Sequence, residues 1–180
     1  MPDYISFKDL NESIVKRIKT GDVFIYPTDT IYGLGCNAII EESVNRIREI
    51  KKSDKPFSII APSKQWIYKN LEVKNKSYIK KLPGSYTFIL KTKKEIIARN
   101  VNLGMKTLGV RIPDHDFTKF IKVPFITTSV NLTGKKPITD IKNISRKILN
   151  NVDIVIDDGI LDNKPSTVID LTEKIPKILR

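Results

Sequence analysis

A single cysteine, Cys36, and a single histidine, His115, occur in 180 residues. One thiol cannot close an internal disulfide, which fits a reducing cytoplasm. The pair is also too small for any His/Cys zinc cluster. A nucleophilic triad would have to use His115, but Pro113-Asp114-His115-Asp116-Phe117 reads as a turn entering a helix. No run of about 18 apolar residues is present to span a bilayer. The opening Met1-Pro2-Asp3-Tyr4 lacks the basic and apolar regions of a secretory leader, so a cytoplasmic protein is expected. Linkers of low complexity and internal repeats are missing too, and one domain over residues 1–180 is expected.

Acidic residues are in the minority, 20 against 32 Lys and Arg, leaving a net charge of +12. That balance suits phosphates, nucleic acid or another anionic surface. Lysine, isoleucine and asparagine are abundant along the whole chain, however, and compositional drift explains much of the charge equally well.

Ser6-x-x-Asp9 has a capping pattern, Leu10, Ile14 and Ile18 recur at helical spacing, and Gly21 closes the segment, so a helix is expected there. Glu41 to Lys52 reads as a second helix, with Val44, Ile47 and Ile50 on one face and acids in its first turn. A short helix is expected before Pro83-Gly84, and another over Asp140 to Asn150. The runs VFIY, FSIIA, YTFIL, LGVRI, FITTSV, DIVID, STVID and KIL are strand candidates. Helices and strands alternate irregularly, which gives an α/β (α+β) sheet domain with its polar strand ends clustered.

Four strand exits end in hydroxyls or a cation instead of ordinary Gly/Asn turn chemistry: YPTDTIYGLG, KTLGVRIP, ITTSVNLTG and KPSTVID. In each one alone, Ser and Thr serve equally well as caps and turn acceptors. Together, with Arg111 and a lysine cluster at hand, they point to a pocket for a small anionic substrate. No G-x-x-x-x-G-K-[ST] loop occurs, and YGLG lacks the last glycine of a dinucleotide fingerprint. Side-chain cations and hydroxyls must therefore hold any phosphate.

The blocks YPTDTIYGLGCNA, IKKSDKPFSIIAPS, LPGSYTFILK, LGVRIP, TTSVNLTGKKPITD, PSTVIDLT and the closing ILR resemble the YrdC/Sua5 family, the threonylcarbamoyl-AMP synthases. They occur in the family's order and cover nearly the whole chain, similar to the short form without a C-terminal domain. The resemblance implies a twisted mixed sheet surrounded by helices, with a concave basic site face. It implies a nucleotidyltransferase that makes threonylcarbamoyl-AMP and pyrophosphate from L-threonine, bicarbonate and ATP. A separate transferase complex then passes the group to tRNA, and binding of tRNA or double-stranded RNA is compatible with the charge. No Asp/Glu cage for magnesium is evident, so Mg2+ is expected to ride on the ATP phosphates and water.

Carried over residue by residue, the resemblance assigns Thr30, Arg111, Thr127 and Ser166 to L-threonine. Arg111 would meet the threonine carboxylate, a strong and directional pair. To ATP it assigns Lys51, also the catalytic candidate, with Thr107, Ser129, Asn131, Thr139 and Arg180. Thr139 follows the pair Lys135-Lys136, an insertion relative to the family. Spacing of two puts Thr107, Gly109 and Arg111 on one strand face, and likewise Thr127, Ser129 and Asn131. Asp29 reads as a turn acceptor in preference to a base, and Tyr32 as a packing residue. The family's Lys-x-Arg lacks its arginine here: Ser53 occupies the place, and Lys52, Lys55 and Arg48 are the cations at hand. Lysine has no bidentate fork to replace it. The histidine that long members carry after Lys-Pro is absent from FSIIAPS. Two rival readings stand beside the synthase: an RNA-binding module without synthase activity, and a carbamoyl-adenylate-forming relative.

Overall fold

A computed structural model describes residues 1–131 and 136–180 of the protein. Among these residues, ten strands join in one sheet: β1 (Asp3–Ser6), β2 (Phe24–Tyr26), β3 (Gly33–Gly35), β4 (Ser58–Ile60), β5 (Tyr86–Lys91), β6 (Thr107–Arg111), β7 (Phe125–Ser129), β8 (Ile154–Asp157), β9 (Thr167–Asp170) and β10 (Lys177–Ile178). Their spatial order is β1-β8-β2-β3-β7-β4-β6-β5-β9-β10. Parallel pairs (β1 with β8, β8 with β2, β4 with β6, β5 with β9) mix with antiparallel ones. The helices are α1 (Ser13–Thr20), α2 (Glu41–Lys51), α3 (Lys64–Asn70), α4 (Lys76–Lys80), α5 (Arg99–Asn102) and α6 (Arg146–Leu149).

Side chains alternate across each strand, and so divide the sheet into two unlike faces. Ile25, Leu34, Ile59, Phe88, Val110 and Ile126 point into the larger core, where α2 contributes Val44, Ile47 and Ile50. On the opposite face, Phe24, Tyr26, Ile60 and Phe125 meet Ile14 and Ile18 of α1 in a smaller core. Toward β5 and β9 that second face carries small and polar residues, Ser58, Gly109 and Thr87 among them. Apolar packing stops there, and a depression opens over the sheet.

Two local expectations change. Ser6 ends β1 and makes no cap bond; α1 begins only at Ser13, after a 3-10 turn over Phe7–Asp9. Gly21, at φ 97°, does close α1 in the left-handed conformation that glycine adopts cheaply. The helical pattern over 140–150 breaks into a 3-10 turn, Ile141–Asn143, and the single turn of α6. His115 caps the 3-10 turn Asp116–Phe120, its Nδ1 accepting from the Phe117 N–H. No helix among the described residues is long and apolar enough to cross a membrane.

Candidate functional site

The depression on the second face is a cavity of about 240 Å³. Ser58 of β4, Thr87 of β5, Arg111 of β6, Thr127 and Ser129 of β7, and Ser166 at the entry to β9 line it. The strand exit that follows β2 adds Thr28, Thr30 and Tyr32 to its wall. Among the described residues no Asp or Glu lines it, whereas Arg111 and Arg180 both do.

Arg111 ends β6 and is buried. Its Nη2 donates to Asp29 Oδ1 at 2.5 Å, and its Nη1 to Thr30 Oγ1 at 3.4 Å. Burial lowers the guanidinium pKa, and the neighbouring Asp29 carboxylate opposes that shift. Asp29, read from sequence as a local turn acceptor, is therefore the ion-pair partner of a residue 82 positions away. The hydroxyls beside it have an assignable order. Thr28 Oγ1 donates to Ile31 O at 2.7 Å, so it accepts from the Thr30 hydroxyl at 2.9 Å. With its proton so directed, Thr30 Oγ1 presents lone pairs to Arg111 and to any ligand N–H or O–H.

The far wall is a second hydroxyl pair, Thr87 Oγ1 and Ser166 Oγ, 2.9 Å apart and buried. Arg180 leans on it, donating from Nε and Nη2 to Ser166 O at 3.3 and 3.2 Å. Its backbone is fixed as well: Arg180 O accepts from Val168 N at 2.9 Å. Tyr32 is fully buried, and its hydroxyl donates to Gly159 O at 2.7 Å. That bond ties the strand-exit turn to the loop before β9, and burial pushes the phenol up to about 12.

Thr30, Arg111, Thr127, Ser166, Ser129 and Arg180 thus come together, while Lys51, Lys52, Lys55, Thr107, Asn131 and Thr139 lie outside the cavity lining. Lys51, at the end of α2, is only 5% exposed. Its Nζ donates to Ser129 O (2.7 Å), Asn131 O (2.6 Å) and Asn131 Oδ1 (2.9 Å), and desolvation pushes the ammonium down to about 8. Ser129 Oγ also donates to Asn131 Oδ1, so Asn131 bridges Lys51 to a cavity-lining hydroxyl. Lys52 and Lys55 are exposed, and Lys55 directly precedes Pro56 in the cavity wall. Thr107 shares the Arg111 strand face, but four residues earlier, about 13 Å along the strand. Thr139 serves through its backbone, accepting from Leu161 N at 2.8 Å. Residues 132–135, including Lys135, lie outside the described residues.

Arg48, an alternative source for the missing cation, is committed elsewhere. It donates to the carbonyls of Asn100, Ser53, Lys55 and Val101, and its guanidinium sits 4.5 Å from the Phe57 ring centre. Sequence reasoning had passed over Thr28, Ser58 and Thr87. For Ser58 and Thr87 a signal existed: each is a small polar residue alternating with apolar ones in a strand.

The family model Sua5/YciO/YrdC, described as "Telomere recombination", matches residues 16–180. A Methanocaldococcus jannaschii protein, provisionally named a threonylcarbamoyl-AMP synthase, is 37% identical over 176 residues, 92% of this chain and 82% of that one. The Escherichia coli protein YciO is similar throughout: its crystal structure superposes with a TM-score of 0.86 at 30% identity, covering 100% of this chain and 95% of its own. The crystal structure of Pyrococcus abyssi Sua5 complexed with L-threonine gives a TM-score of 0.86 at 28% identity. There the match covers all of this chain but 57% of the Sua5 chain.

Proposed function

Because the chain belongs to the Sua5/YciO/YrdC family, we propose that it is an L-threonylcarbamoyladenylate synthase serving threonylcarbamoyladenosine modification of tRNA. It joins L-threonine, bicarbonate and ATP into threonylcarbamoyl-AMP, with release of pyrophosphate and water. The observation that carries this reading is Arg111: a buried cation at the floor of a cavity, ringed by the hydroxyls of Thr30, Thr127 and Ser166. Such a floor takes one small carboxylate in a directional contact. The threonine bound to Pyrococcus abyssi Sua5 supports the same assignment.

In this reading the threonine carboxylate sits on Arg111, and Thr30 accepts a hydrogen bond from the bound amino acid. The amine, having lost its proton, attacks the carbon of bicarbonate and water leaves. A carbamate oxygen then attacks the α-phosphorus of ATP; a new P–O bond forms as the bond to pyrophosphate breaks. No protein nucleophile is required, so the protein's work is to bring two anions together and orient them. Orientation of this kind lowers barriers by roughly 7–11 kcal/mol in good intramolecular cases. Magnesium carried on the ATP phosphates would neutralise charge on the leaving pyrophosphate; among the described residues no carboxylate lines the cavity to hold it directly. Arg180 at the rim, with Lys52 and Lys55 nearby in sequence to Pro56, offers charge to the leaving pyrophosphate.

The test is pyrophosphate release from ATP with L-threonine and bicarbonate, each omitted in turn. Release that depends on both is expected; release indifferent to either omission refutes the synthase. An RNA-binding module without synthase activity is the second reading, favoured by one observation: Lys51 faces Ser129 and Asn131, and no arginine stands at Ser53. Threonine-dependent ATP binding separates the two.

A further inference from the structure

We infer that Asp29 is the positioning residue of the amino-acid carboxylate site, acting through Arg111, an assignment that rests on the threonine reading above. Asp29 does not line the cavity. It stands behind the guanidinium, and the two side chains are 11% and 7% exposed. A guanidinium is planar, so fixing one nitrogen and its direction fixes the fork presented on the other side. Asp29 provides that fixed point: Arg111 Nε is buried without an acceptor, and the Thr30 contact is long at 3.4 Å. The backbone that carries the carboxylate is held in place, because Asn163 donates to the carbonyls Asp29 O (Nδ2, 3.1 Å) and Thr30 O (N, 3.3 Å). The turn bearing Asp29 is thereby clamped from the loop that leads to Ser166.

Charge gives the arrangement a second consequence. Arg111 and Asp29 sum to zero, so the floor of the cavity receives a zwitterionic amino acid without burying net charge. An unaccompanied arginine there would favour any small anion, phosphate and pyrophosphate included. Asp29 thus tempers the pull of Arg111 on simple anions, and among the described residues Arg180 remains the uncompensated cation of the cavity lining.

The experiment is calorimetric titration of L-threonine into the full chain, with steady-state pyrophosphate release alongside. Wild type, Asp29→Asn, Asp29→Glu, Arg111→Gln and the Asp29→Asn/Arg111→Gln pair are compared. Asp29→Asn is expected to weaken threonine binding tenfold or more and to raise its KM equally, with the KM for ATP within twofold of wild type. Collapse of the pocket would shift both KM values. Asp29→Glu, which keeps the charge, should recover part of the loss. In the Arg111→Gln background, Asn at 29 should add less than twofold, and this comparison decides the matter if Asp29→Asn alone does not fold. Unchanged threonine affinity in Asp29→Asn, or a full further tenfold loss in the double variant, overturns the inference. Absence of threonine binding by the wild type overturns the functional reading and the inference with it.

Discussion

Gly109→Ala tests the construction of the cavity floor. Gly109 lies in β6 beside Ser58 at the start of β4, two strands that run parallel with Ile59 opposite Val110. A Cβ added at 109 would come 2.2 Å from Ser58 Oγ, 3.0 Å from Ser58 Cβ and 3.5 Å from Ser58 Cα. Rotation of the serine relieves the first contact and turns its hydroxyl elsewhere in the cavity. It cannot relieve the second, so the strands must part by a few tenths of an ångström. Overpacking of this kind costs about 1–3 kcal/mol. In a chain of this size each kcal/mol lowers Tm by roughly 2–4 °C. The decisive comparison adds Ser58→Gly, which moves the Cβ from one strand to the other. Alone, Ser58→Gly should destabilise by about 0.5–1 kcal/mol through chain entropy. Combined with Gly109→Ala it should restore stability, a reversal of sign that independent sites do not show. Urea unfolding of the four proteins measures this. If Gly109→Ala unfolds with the wild type, or if the double variant is weaker than Gly109→Ala alone, the close approach of β4 and β6 is refuted.

At the phosphate end, at least one of Lys52→Ala and Lys55→Ala should lower turnover tenfold or more, about 1.4 kcal/mol of transition-state stabilisation. Near-wild-type rates in both would leave Arg180 as the cation to examine. Lys51 makes a pH prediction: its ammonium titrates near 8 in the fold against 10.5 ordinarily. Between those values the unfolded chain holds more protons, so stability gains a contribution as pH rises from 8 to 10.5, and that contribution is absent below 8. Lys51→Met should flatten the rise, as read from urea midpoints at pH 7.5, 9 and 10; a slope equal to wild type would contradict the burial of this lysine.

Most of the fold was legible wherever burial imposes a period. The helix α2 could be placed because Val44, Ile47 and Ile50 repeat along one face, and β5 to β9 because apolar runs end at turn residues. The strand β3 was not: Gly33-Leu34-Gly35 offers one apolar side chain, and pairing with β2 and β7 makes it a strand. A Cβ at Gly35 would meet Ile126 O at 2.0 Å, so the close approach of β7 requires glycine there. The start of α1 was misplaced because a serine three residues before an acid satisfies a capping pattern in a strand end too. In the site, the hydroxyl-bearing exits could be listed from sequence, but their convergence depends on strand order. The pair Asp29 and Arg111 left no local trace, since neither residue's neighbours encode a partner 82 positions away.

The two ends of the site are built by opposite means, and the departure at Ser53 belongs with that contrast. At the end proposed for threonine, the contacts reach across the sheet: β6 supplies Arg111, the exit of β2 supplies Asp29 and Thr30, and the entry to β9 supplies Ser166. Those groups are buried and hydrogen-bonded before any ligand arrives, so little ordering remains to oppose binding. At the other end, the cations of α2 have been turned inward. Lys51 braces the end of β7, and Arg48 holds the loop through the carbonyls of Ser53 and Lys55. Ser53 takes part in the same bracing, its Oγ accepting from Lys55 N at 3.2 Å. An arginine at 53 would replace that short acceptor with a long cationic side chain. With serine the loop is held closed on itself, and Lys52 and Lys55 remain exposed on its outside. In the proposed reading, phosphate recognition then depends on flexible side chains whose ordering weakens binding, while amino-acid recognition does not. In the same reading, selectivity resides at the carboxylate end of the cavity, with the pair formed by Asp29 and Arg111.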